Sequence, residues 1–392
     1  MRILITSIFL STIALFIIGI SPSSSFAQGI TASDSLSKNS SKWKPEEREV
    51  LTGRRVHELP KGLPFAAFSE GGEKEKALDD FIKEQKVAGL LILQDGKIRL
   101  ERYAPGDSES NRWPSFSVAK SITSTLVGTA IKDGYIKSVD DYVTDYIPDL
   151  KGSAYDSVRI RHLLTMTSGV RWNENYTDSN SDIAKFSTDS IEPGINATVS
   201  YMRRLPAEAK PGKKWVYSTG ETDLLGVVVS AATHQTLSHY LSSKIWIPYG
   251  MQQNATWALD RTGQEMAGCC LQMPLRDFAR FGQFVLEGGR INGESIVPND
   301  WFKAATSLQV PLWPGGGYGY GWWIFNSYSF EALGIYGQMI YIDPSRRLVI
   351  AVNSAWPEAE SEGRHLAAAN FMKTIESEID KEGKGNQTDK IH

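Results

Sequence analysis

Ser117 and Lys120 stand three residues apart in RWPSFSVAKSITSTL, residues 112–126, and a hydroxyl beside an amine is a pair that can run acyl transfer. A serine is a poor nucleophile until a base takes its proton, and a desolvated lysine can serve because burial disfavours its charged form. Spacing alone does not single this pair out, since Ser35 and Lys38, and Ser41 and Lys44, repeat the pattern. The surroundings do. From Phe116 to about Lys132 apolar or small residues occupy nearly every side, which predicts a buried helix with Lys120 in its first turn. Positions i and i+3 share a face, so the amine lies beside the hydroxyl, at a helix end whose N–H groups favour developing negative charge. The competing reading is that Ser115 or Ser117 caps the helix while Lys120 reaches solvent.

Other chemistries find no footing. There is no Gly-x-Ser-x-Gly elbow, the six histidines form no His-Glu-x-x-His pair, and Gly315-Gly316-Gly317 lacks the Lys-Ser/Thr sequel of a phosphate loop. No Cys/His/carboxylate cluster suggests a metal. A formal charge of -3 over 392 residues, with no basic stripe, gives no reason to expect a nucleic-acid partner.

The elements that must hold the pair are legible in outline. AGLLILQDGKIRLERYAPG reads as two strands joined through Asp95-Gly96, a strong hairpin signal. YGYGWWIF and GQMIYIDPSRRLVIAVNSA read as late strands, with a turn at Asp343-Pro344-Ser345. An antiparallel sheet built from both ends of the chain is therefore expected, around a middle with helical periodicity. SEGRHLAAANFMKTIESEIDKE, near the end, is an amphipathic helix suited to packing on that sheet.

The expected organisation is a signal peptide at 1–27, a mobile tail at 28–62, a folded unit at 63–378 with a helical lobe at roughly 140–222, and a tail at 379–392. Arg2, the apolar run Ile3–Ile20 and the small residues Ser25 and Ala27 make the first segment a secretory leader; the alternative is an uncleaved anchor. Export implies an oxidising compartment. The only cysteines, Cys269 and Cys270, are adjacent; a bond between neighbours is strained, so two buried thiols are expected.

Six segments in order resemble the serine β-lactamase and penicillin-recognising superfamily, in its class C-like branch with D-amino-acid peptidases, carboxylesterases and 6-aminohexanoate-dimer hydrolases. They are FSVAKS, HLLTMTSGVRW, PGKKWVYST, LLGVVVSAATHQTLSHYL, RDFARFGQFVLEGG and GIYGQMIYIDP, spread over about residues 65–375. The resemblance implies an α+β fold in which helices flank an antiparallel sheet and a mostly helical lobe is inserted. It implies Ser117 as acylated nucleophile, Lys120 as proton partner, and Tyr217 as the tyrosine that shares the proton traffic and protonates the leaving group. Ile335-Tyr336-Gly337 takes the place of the third motif, with Gly337 letting a strand approach substrate. The N–H groups of Ser117 and Gln338 would then form the oxyanion hole. Tyr176 falls where a substrate-contacting tyrosine occurs in the 6-aminohexanoate-dimer hydrolases; a surface-loop tyrosine is the alternative.

Two departures bear on the substrate. Thr219 replaces the asparagine that usually ends the second motif, and Ile335 replaces the lysine that helps hold a β-lactam or D-alanine carboxylate. An apolar residue cannot pair a carboxylate. The resemblance implies a hydrolase acting on a small-molecule ester or linear amide without a cofactor, and the leader adds export, periplasmic or secreted, without a membrane span once it is cleaved. A β-lactamase or D-amino-acid peptidase is the alternative, and a non-catalytic cell-wall or ligand-binding protein is the reading from another class. The oligomeric state stays open. Trp113, Trp172, Tyr176, Trp215, Trp313, Tyr318, Trp322, Trp323 and Tyr336 crowd the same segments; many are expected in the core and several are candidates for lining an apolar cleft.

Overall fold

The computed structural model describes residues 45–388, apart from 69, 70 and 327. The expected leader at 1–27, the expected tail as far as 44 and residues 389–392 lie outside the described residues.

Strands β1 (Glu47–Val50), β2 (Val87–Gln94), β3 (Lys97–Tyr103) and β4 (Arg112–Pro114) precede the helical middle. Then come β5 (Ala255–Ala258), β6 (Leu271–Pro274) and the short ribbon of β7 (Arg290–Ile291) and β8 (Glu294–Ser295). The late strands are β9 (Val310–Trp313), β10 (Gly316–Tyr318), β11 (Trp323–Ile324), β12 (Phe330–Gly334), β13 (Gln338–Asp343) and β14 (Leu348–Ser354). An eight-stranded sheet runs β3-β2-β14-β13-β12-β11-β10-β9, and a four-stranded one runs β1-β5-β6-β4. All named pairings are antiparallel. The expected sheet from both ends of the chain is thus present, with early β2 against late β14.

The hairpin and turn signals act as expected. Asp95 and Gly96 both take positive φ, 52° and 71°, which matches the twist of the strands they join. After β13 the Asp343 side chain accepts from the Ser345 and Arg346 N–H groups, closing the Pro344–Arg346 turn.

β2, β13 and β14 are buried almost throughout because helices cover both faces. Alternate residues therefore enter different cores: Leu91, Leu93, Ile340, Ile342, Val349 and Ala351 face one, and Leu90, Ile92, Met339, Tyr341, Ile350 and Val352 face the other. The helices Val118–Lys132 and Leu275–Leu286 belong to the first core, and Phe371, Met372 and Ile375 of the terminal helix Glu362–Thr388 to the second.

Several expected boundaries are corrected. Residues 45–62 are not a mobile tail: β1 pairs with β5, and Arg48 bridges the buried Glu265 at 2.7 Å. Residue 379 does not open a tail either, because the terminal helix continues to Thr388 and Ile379 is buried. The helical lobe runs past 222, through the helix Thr219–Thr233 to the turns ending at Gly250. Cys269 and Cys270 are not buried thiols but a half-buried disulfide. Successive side chains of an extended segment point apart; here Cys270 takes φ 69°, a bend that brings the two together.

Two tests follow from the packing. A Cβ at Gly282 would lie 2.5 Å from Val349 Cγ1 and 2.8 Å from Ile340 Cγ2. Gly282→Val is expected to cost about 1–3 kcal/mol by overpacking, seen as a lower urea midpoint at unchanged slope. The unfolded, unreduced protein should take up no alkylating reagent, and two equivalents after reduction, as read by mass; two equivalents without reduction would contradict the bond.

Candidate active site

β4 delivers the chain to Ser115, whose N–H bonds the Leu271 carbonyl of β6 at 2.7 Å. Phe116 then takes φ 43°, and Ser117 begins the helix Val118–Lys132 as its N-cap. A non-glycine residue held at positive φ costs about 1–3 kcal/mol and persists only where the surroundings enforce it. The enforcing contact is visible: the Phe116 ring packs on Tyr336, itself at φ 60°, with centroids 5.2 Å apart. The helix then buries every residue from Val118 to Ala130, as its composition requires. Ser117 does not cap it through its side chain.

Lys120 is 2 % exposed, so the reading in which it reaches solvent is excluded. Its Nζ donates to Ser117 Oγ, Thr219 Oγ1 and the Gly268 carbonyl, each at 2.9 Å. Gly268 has to be glycine for this approach, since a Cβ there would sit 2.9 Å from Thr219 Cγ2 and from the Thr219 carbonyl. Burial lowers the amine pKa to about 8, against the opposing pull of Glu174 and Asp223. Asp223 lies one helical turn beyond Thr219 and accepts from the Gly268 N–H at 2.6 Å.

The Tyr217 phenol faces the Ser117 hydroxyl, and Lys120 Nζ lies 5.0 Å from the phenol ring centroid. Burial, then Tyr318, raise the phenol well above its ordinary value, so it stays neutral and protonated. It stacks on Trp323 at 5.7 Å, and Trp215, Tyr318 and Trp313 continue the aromatic wall. Of the other expected aromatics, Trp322 lies in the core, Trp113 packs against that core from β4, and Trp172 packs on Phe186 and Tyr201.

Ser117, Lys120 and Tyr217 thus meet, and Tyr176 stands near them, with its OH donating to Glu174 at 2.7 Å. The third-motif residues are placed differently from expectation. Ile335, Tyr336 and Gly337 are not strand but a tight turn between β12 and β13. Gly337 is at φ 86°, and a Cβ there would meet the Trp356 indole at 2.5 Å. The backbone that comes up to Ser117 is that of Gly334, where a Cβ would lie 3.1 Å from Ser117 N and 2.6 Å from the Ser115 carbonyl. Gln338 pairs with Gly334 across the ladder. Its side chain donates to the Tyr336 carbonyl at 3.1 Å and the Ser354 carbonyl at 2.7 Å, fixing the turn.

Sequence reasoning missed Glu174, Gly268 and Asp223. Glu174 had a signal: in Trp172-Asn173-Glu174-Asn175-Tyr176, alternate residues of an extended run share a side. Both ends of that run, Trp172 Nε1 and Tyr176 OH, donate to its carboxylate. Among the described residues no group of three or more His, Cys, Asp or Glu is placed to hold a metal, and no helix is long and apolar enough to cross a membrane.

A profile of the Beta-lactamase family matches residues 75–371. The chain belongs to the Beta-lactamase family. Within that family it is 27 % identical over 320 residues to the 6-aminohexanoate-dimer hydrolase of Paenarthrobacter ureafaciens, covering 77 % of this chain and 81 % of that protein. A solved Bacillus anthracis structure, provisionally named for the same activity, superposes with TM-score 0.72 at 24 % identity, over 86 % of this chain and 92 % of that one. A family VIII carboxylesterase shares the fold, with TM-score 0.59 at 15 % identity, over 78 % and 97 %. The protein is a serine hydrolase of this β-lactamase superfamily, and its α+β architecture is that of the fold.

The role that the resemblance assigns to Lys120, as proton partner of Ser117, carries a pH signature. With a pKa near 8, roughly a tenth of Lys120 is the neutral base at pH 7, against about three in ten thousand for an unperturbed lysine. Acylation rate should therefore climb about tenfold per pH unit below 8 and level off above it, in stopped-flow or initial-rate profiles. A profile still climbing steeply at pH 10 would show an ordinary, solvated amine.

Proposed function

We propose that the protein is an exported serine hydrolase that cleaves an ester or a linear amide through an acyl-enzyme on Ser117. The observation that carries this reading is the buried Lys120 amine 2.9 Å from Ser117 Oγ. Neutral Lys120 takes the Ser117 proton as the oxygen attacks the carbonyl, and the oxyanion is held by the Ser117 N–H and the Gly334–Gln338 turn, to which the family resemblance assigns the Gln338 N–H. Tyr217 passes its proton to the leaving group and is re-protonated from Lys120. Water then enters, and the same groups run in reverse to release the acid.

Ester or linear-amide selection is supported by the half-buried Ile335, which offers no charge to a substrate carboxylate, and by the aromatic wall beside Tyr217. It also agrees with relatives named for 6-aminohexanoate-dimer hydrolysis and for carboxylester hydrolysis. Export is supported by the leader-like residues 1–27 and by an oxidised cysteine pair, which a reducing cytosol would not sustain.

A fluorophosphonate probe should label the parent protein at Ser117, and Ser117→Ala should lose the label entirely. A short-chain nitrophenyl ester should be turned over at least tenfold faster, by kcat/KM, than a chromogenic cephalosporin, a gap of about 1.4 kcal/mol. Faster cephalosporin turnover would replace this reading with a β-lactamase, and equal labelling of Ser117→Ala would remove the nucleophile.

A further inference from the structure

Thr219 Oγ1 is placed between two groups that matter: it accepts from Lys120 Nζ at 2.9 Å and donates to Glu174 Oε1. Glu174 is crowded with donors. Oε1 receives the Thr219 and Tyr176 hydroxyls, and Oε2 receives Trp172 Nε1 and, at 3.1 Å, the Thr219 N–H. Those four donors fill the roughly four acceptor positions of a carboxylate, so it has little left for a substrate.

Counting hydrogens shows what this arrangement does. A protonated lysine has three hydrogens, and Lys120 has three acceptors: Ser117 Oγ, Thr219 Oγ1 and the Gly268 carbonyl. A neutral lysine has two hydrogens and one lone pair. The Gly268 carbonyl can only accept. A free threonine hydroxyl could donate to the amine instead, turning the lone pair away from Ser117. Because Glu174 engages the Thr219 hydrogen, Thr219 too presents only a lone pair, and the amine's own lone pair is left facing the Ser117 O–H.

We propose that Glu174 is a positioning residue that acts through the Thr219 hydroxyl to aim the Lys120 lone pair at Ser117. The inference rests on Ser117 and Lys120 acting as proposed above. It also gives a role to the threonine that replaces the usual asparagine: an amide presents both a donor and an acceptor and needs no orienting carboxylate, whereas a hydroxyl rotates. The charges facing Lys120 are Glu174 from the 171–182 loop and Asp223 from the helix Thr219–Thr233, with the neutral Tyr217 ring alongside.

The test uses the full-length protein and the rate of fluorophosphonate labelling, resolved into kinact and KI. Glu174→Gln and Thr219→Val should each lower kinact about 10- to 100-fold with KI changed less than threefold, as expected of a misaimed base. Thr219→Ser should retain most of the parent rate. Glu174→Gln should also move the rising limb of the pH profile to lower pH, because a negative charge that favours protonated Lys120 is gone. The double variant should be no more than about twofold slower than Thr219→Val alone, since both changes break one connection. Full activity in Glu174→Gln, or losses that multiply in the double variant, would overturn the inference while leaving Ser117 labelling, and so the proposed function, intact. If Glu174→Gln does not fold, the Thr219→Val and Thr219→Ser pair decides: equal rates overturn it. Loss of label specificity for Ser117 would instead overturn the proposed function.

Discussion

One buried amine organises this molecule. Lys120 sits in the first turn of a helix with no exposed face, and an amine taken out of water must find partners or give up its charge. It does both in part, with three acceptors and a lowered pKa. Each acceptor comes from a different piece of chain: the helix start, the start of the next long helix, and the loop that carries the cysteine pair. The sheets and the helical lobe are positioned so that these pieces converge, and the strained Phe116 and Tyr336 hold the serine and the Gly334 turn against each other.

Much of this was legible because it rests on local rules. A turn that needs two positive φ angles selects Asp95-Gly96, and a helix without a polar face declares its burial by composition. The serine and lysine could be paired because three residues of helix put them on one side. β1 was hidden for the opposite reason: Glu47-Arg48-Glu49 resembles a solvated tail, and only Val50 is fully buried. Its strand exists through its partner β5, two hundred residues on, and through the bridge from Arg48 to Glu265. No local pattern contains that information.

The site divides in the same way. Tyr217 was found through the order of motifs, whereas Glu174 reaches the lysine through a threonine on another element. The third motif shows how an alignment of short strings misleads. Three residues that match a strand by position form a turn, and the close approach to Ser117 passes to Gly334, just before them. The cysteines were judged on the strain of an extended pair, but the backbone at Cys270 is not extended.

The sheet's order also governs when the site can exist. β14 is the strand that joins the early hairpin to the late strands, with Leu91 opposite Ala351, so the main sheet cannot close until nearly the whole chain is available. Contacts so distant in sequence make for slow assembly. A nascent chain therefore holds Ser117 and Lys120 long before it holds the turn at Gly334 that faces them. Ser117 and Lys120 gain the turn that faces them only when the sheet closes, late in folding.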